Sequence, residues 1–238
     1  MSDWNLGWAH ASRLMRKPPP HSMPGRMVVR LVSGSYAYGT DTDDSDCDYR
    51  MVFQLPNSEF LGLGTPNSTH TDPLDQVGHE LAHYLRLLLK GNPNLVEMPF
   101  IRPEWWIESS DTWKAIVDVR ERWITRAMAS AYRGWIFGEL AKIGKSPTMT
   151  PKRISHCVRL AYELRGALYD RIIQPHLTGW QQHKVMDFKE GRLDGATAIL
   201  EVEAIMEEIS DHTLQALPEP PTELAAAILE EARRKHGG

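Results

Sequence analysis

Cysteine is almost missing from this 238-residue chain: Cys47 and Cys157 are its whole supply. Two thiols so far apart do not build the disulfide framework of a small secreted domain, and no apolar leader opens the sequence. A reducing compartment, the cytosol, is therefore expected. Long apolar runs are missing too, and nothing approaches the roughly 18 to 20 residues that span a bilayer. No repeat of fixed period runs along the chain. A large charge excess is also lacking, since 27 basic against 31 acidic residues leave a net charge of -4. That near balance hides segregation. Residues 101–192 hold 16 basic and 10 acidic side chains, whereas residues 193–238 hold 3 and 10. A basic middle segment suits a phosphate-bearing substrate or a nucleic acid, and it equally suits solvated helix faces.

With 42% hydrophobic residues, a chain of this length buries a real core in one large domain or two small ones; two are expected. A Trp-containing N-terminal segment leads into "RKPPPHSMPG" (16–25), a stiff connector that cannot continue as helix. "RMVVRLV" (26–32) is apolar and β-branched. "DCDYRMVFQL" (46–55) alternates, with Cys47, Tyr49, Met51 and Phe53 on one side and Asp46, Asp48 and Arg50 on the other. Helical spacing of Val77, Leu81, Tyr84, Leu85, Leu88 and Leu89 predicts a helix from about Leu74 to Lys90, with Gly91 as its C-cap. Beyond residue 100 no alternating strand is evident. Helical windows near 109–143, 150–173, 193–211 and 221–235 predict an all-α second half. The fold class expected is α+β, with residues 1–25 as a segment and connector, 26–105 as a core and 106–238 as a helical domain.

The stretch "VSGSYAYGTDTDDSDCDYRMVF" (32–53) carries the chemistry. An apolar strand ends in Gly34-Ser35 and passes into a short helix-compatible segment, an arrangement that presents backbone N–H groups and a hydroxyl to phosphate. Ten residues later Asp46 and Asp48 share one strand face. Two adjacent carboxylates are costly without a neutralising cation, and hard oxygens favour Mg²⁺ or Mn²⁺ over zinc. A solvated acidic turn is the plainer reading of "DTDDSDCD". A calcium loop is excluded, because neither register puts glycine and glutamate where an EF-hand needs them.

Other motifs compete. "HELAH" (79–83) spells H-E-x-x-H, the zinc hydrolase pattern, with His79 and His83 one helical turn apart, Glu80 as base and Glu97 available as a third ligand. "GKS" (144–146) is not a P-loop, since Gly138 is one residue too far upstream and a helix precedes it. Tryptophans 105, 106, 113, 123 and 135 could stack nucleobases, though aromatics at helical spacing more commonly pack a core.

Strand, Gly34-Ser35, ten-residue spacer and Asp46-x-Asp48 together resemble the core motif of the DNA polymerase β-like nucleotidyltransferase superfamily. "GSYAYGTDTDDSDCDYR" with "HELAHYLRLLLKGNPNLVEM" (79–98) is similar to a narrower group of bacterial and phage proteins described as predicted nucleotidyltransferases. The resemblance implies a small mixed sheet with flanking helices and a helical region after it. It implies Gly34 and Ser35 at nucleotide phosphates, and Asp46 and Asp48 as catalytic metal ligands for Mg²⁺ or Mn²⁺. It adds a third acid at Asp75, with Asp72 as the competing choice, and Lys142, His156 and Arg159 as further nucleotide-binding groups. Glu97 would be a base or supporting residue, or else a capping or solvated one. The activity implied is transfer of a nucleoside monophosphate from an NTP, such as ATP, to an acceptor with release of pyrophosphate. RNA is one acceptor it allows, and a catalytically silent nucleotide- or RNA-binding module is the alternative.

Overall fold

A computed structural model of the chain describes residues 23–61, 66–71, 76–146, 148–209 and 211–236. The N-terminal segment, most of the proline-rich connector, Asp72 and Asp75 lie outside the described residues. The first strand, β1 (Arg26–Ser33), lies between β2 and β5 and buries Val28, Val29, Leu31 and Val32, while Arg26 is exposed and Arg30 half-buried. It is followed by α1 (Gly34–Tyr38), β2 (Asp48–Gln54), β3 (Thr69–Thr71) and β4 (Val77–Glu80). Then come α2 (Leu81–Leu89), α3 (Pro93–Val96) and β5 (Trp106–Ser109). The strands form one mixed sheet in the order β3-β4-β2-β1-β5. β1 runs antiparallel to β2 and β5, β2 is parallel to β4, and β3 is antiparallel to β4.

Seven helices complete the described residues: α4 (Asp111–Asp118), α5 (Arg126–Leu140), α6 (Pro151–Tyr169), α7 (Gly179–Lys189), α8 (Gly195–Glu208), α9 (Asp211–Gln215) and α10 (Thr222–His236). The fold is α+β, as the sequence predicts. α6 is the hub: it packs on α5, α7 and α8, and its positions from Ile154 to Leu164 are almost all buried. One continuous core joins the helices to the sheet through Val29, Leu31 and Val52. Met51 and Phe53 pack on the other face of β2 with Met23 and Leu55. None of the helices among the described residues is long and apolar enough to cross a membrane.

Four expectations are corrected. The helix predicted from Leu74 begins only at Leu81, because residues 77–80 pair as a strand with β2 and β3. Residues 106–109 form an edge strand on β1 where no strand was expected. The window 109–143 divides into α4 and α5, and Thr125 starts the second by accepting a hydrogen bond from the Met128 N–H. Helix α7 has no counterpart among the predicted windows.

Candidate active-site cleft

Ser33 ends β1 directly opposite Asp48, the first residue of β2. That register brings Gly34 against the aspartate: a Cβ built on Gly34 would stand 2.0 Å from Asp48 Oδ2, and the residue has φ +65°. Only glycine meets both conditions. α1 then makes barely more than one turn and stops at Gly39, whose φ is +70°. The loop that follows is fixed by its own side chains. Ser45 Oγ accepts from the Thr42 N–H at 2.8 Å, and the Tyr36 hydroxyl donates to Ser45 O at 3.3 Å. Asp46 and Asp48 emerge exposed, with Cys47 half-buried between them, so the alternation read from the sequence holds here.

These residues form one wall of a cleft of about 580 Å³. The opposite wall is helical and basic: Lys152, Arg153, His156 and Arg159 from α6, and Lys189 from the end of α7. Gln76 and Val77, leading into and opening β4, also line it. Lys189 Nζ donates to the Thr40 carbonyl, which fastens α7 to the loop after α1. Burial depresses the Lys189 amine below the ordinary lysine range, with Lys152 adding to the effect. Burial first, and then Arg159, Arg50, Arg153 and Lys152, hold the His156 imidazole well below the usual histidine range. His156 is therefore neutral near pH 7. Its Nδ1 stands 3.1 Å from Arg159 Nη2; a guanidinium only donates, so Nδ1 accepts and Nε2 carries the ring proton.

The cleft thus gathers Gly34, Ser35, Asp46, Asp48, His156 and Arg159 from positions far apart in sequence. It does not gather Lys142, which pairs with Glu139 at 2.6 Å at the end of α5 and does not line the cleft. Arg159 reaches the cleft floor with a side chain only 1% exposed, ion-paired to Glu97 at 3.0 Å and to Glu163. Glu97 is consequently neither a solvated nor a capping residue; it is a buried partner of Arg159. Lys152, Arg153 and Lys189 are cleft residues that no sequence motif marked. Their signal was the basic excess of residues 101–192, which carries no address until α6 and α7 are packed.

The zinc pattern at 79–83 does not form on a helix. His79 and Glu80 belong to β4 and His83 to α2, with the two imidazole centroids 5.5 Å apart. The Glu80 carboxylate is already committed, accepting from the Ala82 N–H at 2.7 Å and pairing with Arg233 at 3.2 Å. Among the described residues no group of three or more His, Cys, Asp or Glu side chains is arranged to enclose a metal. Asp46 and Asp48 supply two hard oxygen donors at the mouth of the cleft, a donor set suited to Mg²⁺ or Mn²⁺.

Known proteins resemble this chain in sequence. The profile of RlaP, described as an RNA repair pathway DNA polymerase beta family, matches residues 15–185. A 38.9 kDa protein from the nrdC-mobD intergenic region of Enterobacteria phage T4, described as uncharacterized, is 31% identical over 132 residues. That match covers 50% of this chain and 39% of the phage protein. YcgL of Bacillus subtilis (strain 168), also described as uncharacterized, is 33% identical over 76 residues, 30% of this chain and 29% of that protein. The chain therefore matches well under half the length of either relative.

Proposed function

The chain belongs to the RNA repair pathway DNA polymerase beta family, and from that premise we propose that it is a metal-dependent nucleotidyltransferase acting in the cleft between Asp46, Asp48 and α6. Membership suggests nucleotidyltransferase-type chemistry, and the β1–β2 register carries the assignment to this cleft. It sets a paired carboxylate against a glycine-serine turn and faces both with a basic helical wall.

In this reading the acceptor hydroxyl oxygen attacks the α-phosphorus of an NTP. The bond from that phosphorus to the bridging oxygen breaks, pyrophosphate leaves, and the hydroxyl proton passes to a carboxylate or to water. Asp46 and Asp48 would hold Mg²⁺ or Mn²⁺, with Asp75 as third acid and Asp72 as its competitor; Asp75 directly precedes the cleft residue Gln76 in sequence. When bound, the divalent ions neutralise phosphate charge and activate the attacking oxygen. Gly34 lets the backbone approach the phosphates and Ser35 donates to them. Lys152 and Lys189 neutralise the leaving pyrophosphate, and His156, neutral and protonated on Nε2, adds a donor without adding charge. Positioning and electrostatics supply the catalysis, as this reaction class requires. RNA is the acceptor we favour, supported by the family description and by the exposed Lys152 and Arg153 at the cleft.

The test is calorimetric titration of ATP, GTP, CTP and UTP with Mg²⁺ or Mn²⁺ into the wild type and into the Asp46→Ala, Asp48→Ala double variant. Transfer of an α-labelled nucleotide to RNA ends is followed in parallel. We expect metal-dependent binding of a preferred nucleotide, lost in the double variant, and label incorporation matched by pyrophosphate. Wild-type turnover in Asp48→Ala would refute the assignment.

A further inference from the structure

Arg159 lines the cleft, yet both terminal nitrogens of its guanidinium are engaged by protein groups and its Nε is buried without a hydrogen-bond partner. Nη2 donates to Glu97 Oε1 at 3.0 Å and Nη1 to Glu163 Oε1, one turn along α6. The guanidinium carbon lies 3.7 Å from the centroid of the Tyr38 ring. Glu163 Oε2 accepts in turn from the Tyr132 hydroxyl on α5 at 3.4 Å. The cluster is dry: the side chains of Arg159 and Glu97 are 1% exposed and that of Glu163 is 0% exposed. A triphosphate drawing on either Nη would have to weaken the pairing of a buried carboxylate, which is strongly unfavourable, and Nε is itself buried.

Tyr38 is the last residue of α1, and Gly34 and Ser35 are its first two. A helix so short is one rigid body, about 7 Å long, so clamping one end sets the other. We infer, on the reading that the cleft holds a nucleotide, that Arg159 is a positioning residue. Tied down by Glu97 and Glu163, it props the Tyr38 ring and thereby fixes the Gly34–Ser35 turn in register with Asp48.

Amide hydrogen exchange on the whole protein tests this, comparing the wild type with Arg159→Met, Tyr38→Leu and Tyr38→Phe. Tyr38→Leu leaves the ion pairs untouched, so it decides the matter even where Arg159→Met fails to fold. We expect exchange of the 34–40 amides to rise about tenfold or more in Arg159→Met and in Tyr38→Leu, with β2 and α2 unchanged, and to stay within about threefold in Tyr38→Phe, which keeps the ring. In nucleotide transfer, Tyr38→Leu and Arg159→Met should lower kcat about tenfold while KM for the NTP moves by less than about threefold. Unchanged α1 exchange in Tyr38→Leu overturns the inference, as does an Arg159→Met variant that raises KM at constant kcat, the mark of a direct phosphate ligand. A wild type that binds no nucleotide with either metal ends the nucleotidyltransferase reading, while the exchange of α1 still decides the strut.

Discussion

A methyl group on Gly34 would stand 2.0 Å from Asp48 Oδ2 on a backbone with φ +65°. Gly34→Ala should therefore do two separable things. The backbone term costs about 1–2 kcal/mol of stability, visible as a lowered urea midpoint. The steric term pushes the Asp48 carboxylate off its position, and if Asp48 acts as proposed, nucleotide transfer falls at least about a hundredfold, since an error near 1 Å in a catalytic group is that costly. A Gly34→Ala protein with wild-type turnover would show that Asp48 is free to work from elsewhere. At this scale the sequence was most legible where partners are close along the chain. Gly34, Ser35, Asp46 and Asp48 lie within 15 residues, and one hairpin register joins them. Arg159 was legible as a cleft residue but not in its role, because its commitment to Glu97 spans 62 residues and depends on burial that no local pattern reveals. Lys142 has the right charge, but Glu139 is three residues away and within reach.

Among the elements, the boundary of α2 shows how tertiary pairing overrides periodicity. Val77, Leu81, Leu85 and Leu88 fit helical spacing throughout, and nothing local says that residues 77–80 will extend. The deciding partner is the edge of β2, which takes Val77 to Glu80 as a parallel strand, and Glu80 then caps the shortened helix. Helix α7 carries no local signal for a different reason: its apolar residues do not gather on one face, so it has no amphipathic signature. The strand assignment has a measurable consequence at His79. Burial first, then His83 and Arg50, push its imidazole down to about 4. A folded-state pKa below the unfolded value means that the fold favours the neutral ring. Its contribution is complete above about pH 6.5 and is lost as pH falls toward 4. The full linkage at pH 5 would be about 2 kcal/mol, and partial exposure reduces it to about 1 kcal/mol. Urea unfolding at pH 7.5 and pH 5 should show that loss in the wild type and a smaller one in His79→Gln; equal losses in both would remove His79 as the cause.

For the whole molecule, the informative contact is the return of α10 to the sheet. Gln54 Nε2 donates to the Ala232 carbonyl at 3.2 Å. Arg233 reaches Glu80 at 3.2 Å and Asn57 at 3.3 Å while lying 4.0 Å over the Phe60 ring. Arg233→Ala strands the buried Glu80 carboxylate and should cost about 2–3 kcal/mol, below the range for a fully buried pair because Arg233 keeps some water contact. Arg233→Lys should recover only part, since an ammonium lacks the fork that serves Glu80 and Asn57 together. Denaturant midpoints of the two variants check this, and an unchanged midpoint in Arg233→Ala would mean that α10 docks without the pair. The strands β1 and β2 and the basic helical half follow from the sequence pattern, and the mixed sheet from the family resemblance, but this closure follows from neither, since nothing near Glu80 or Arg233 names the other. The distance along the chain also has a cost in time. Gln54 waits 178 residues for its partner and Glu80 waits 153. At about 5–20 residues per second on a ribosome, the carboxylate of a nascent Glu80 stays without its counter-ion for roughly 8 to 30 seconds. During that interval the sheet is synthesised but uncovered on its α10 side, which leaves the emerging chain with unpaired polar and apolar surface until its last helix arrives.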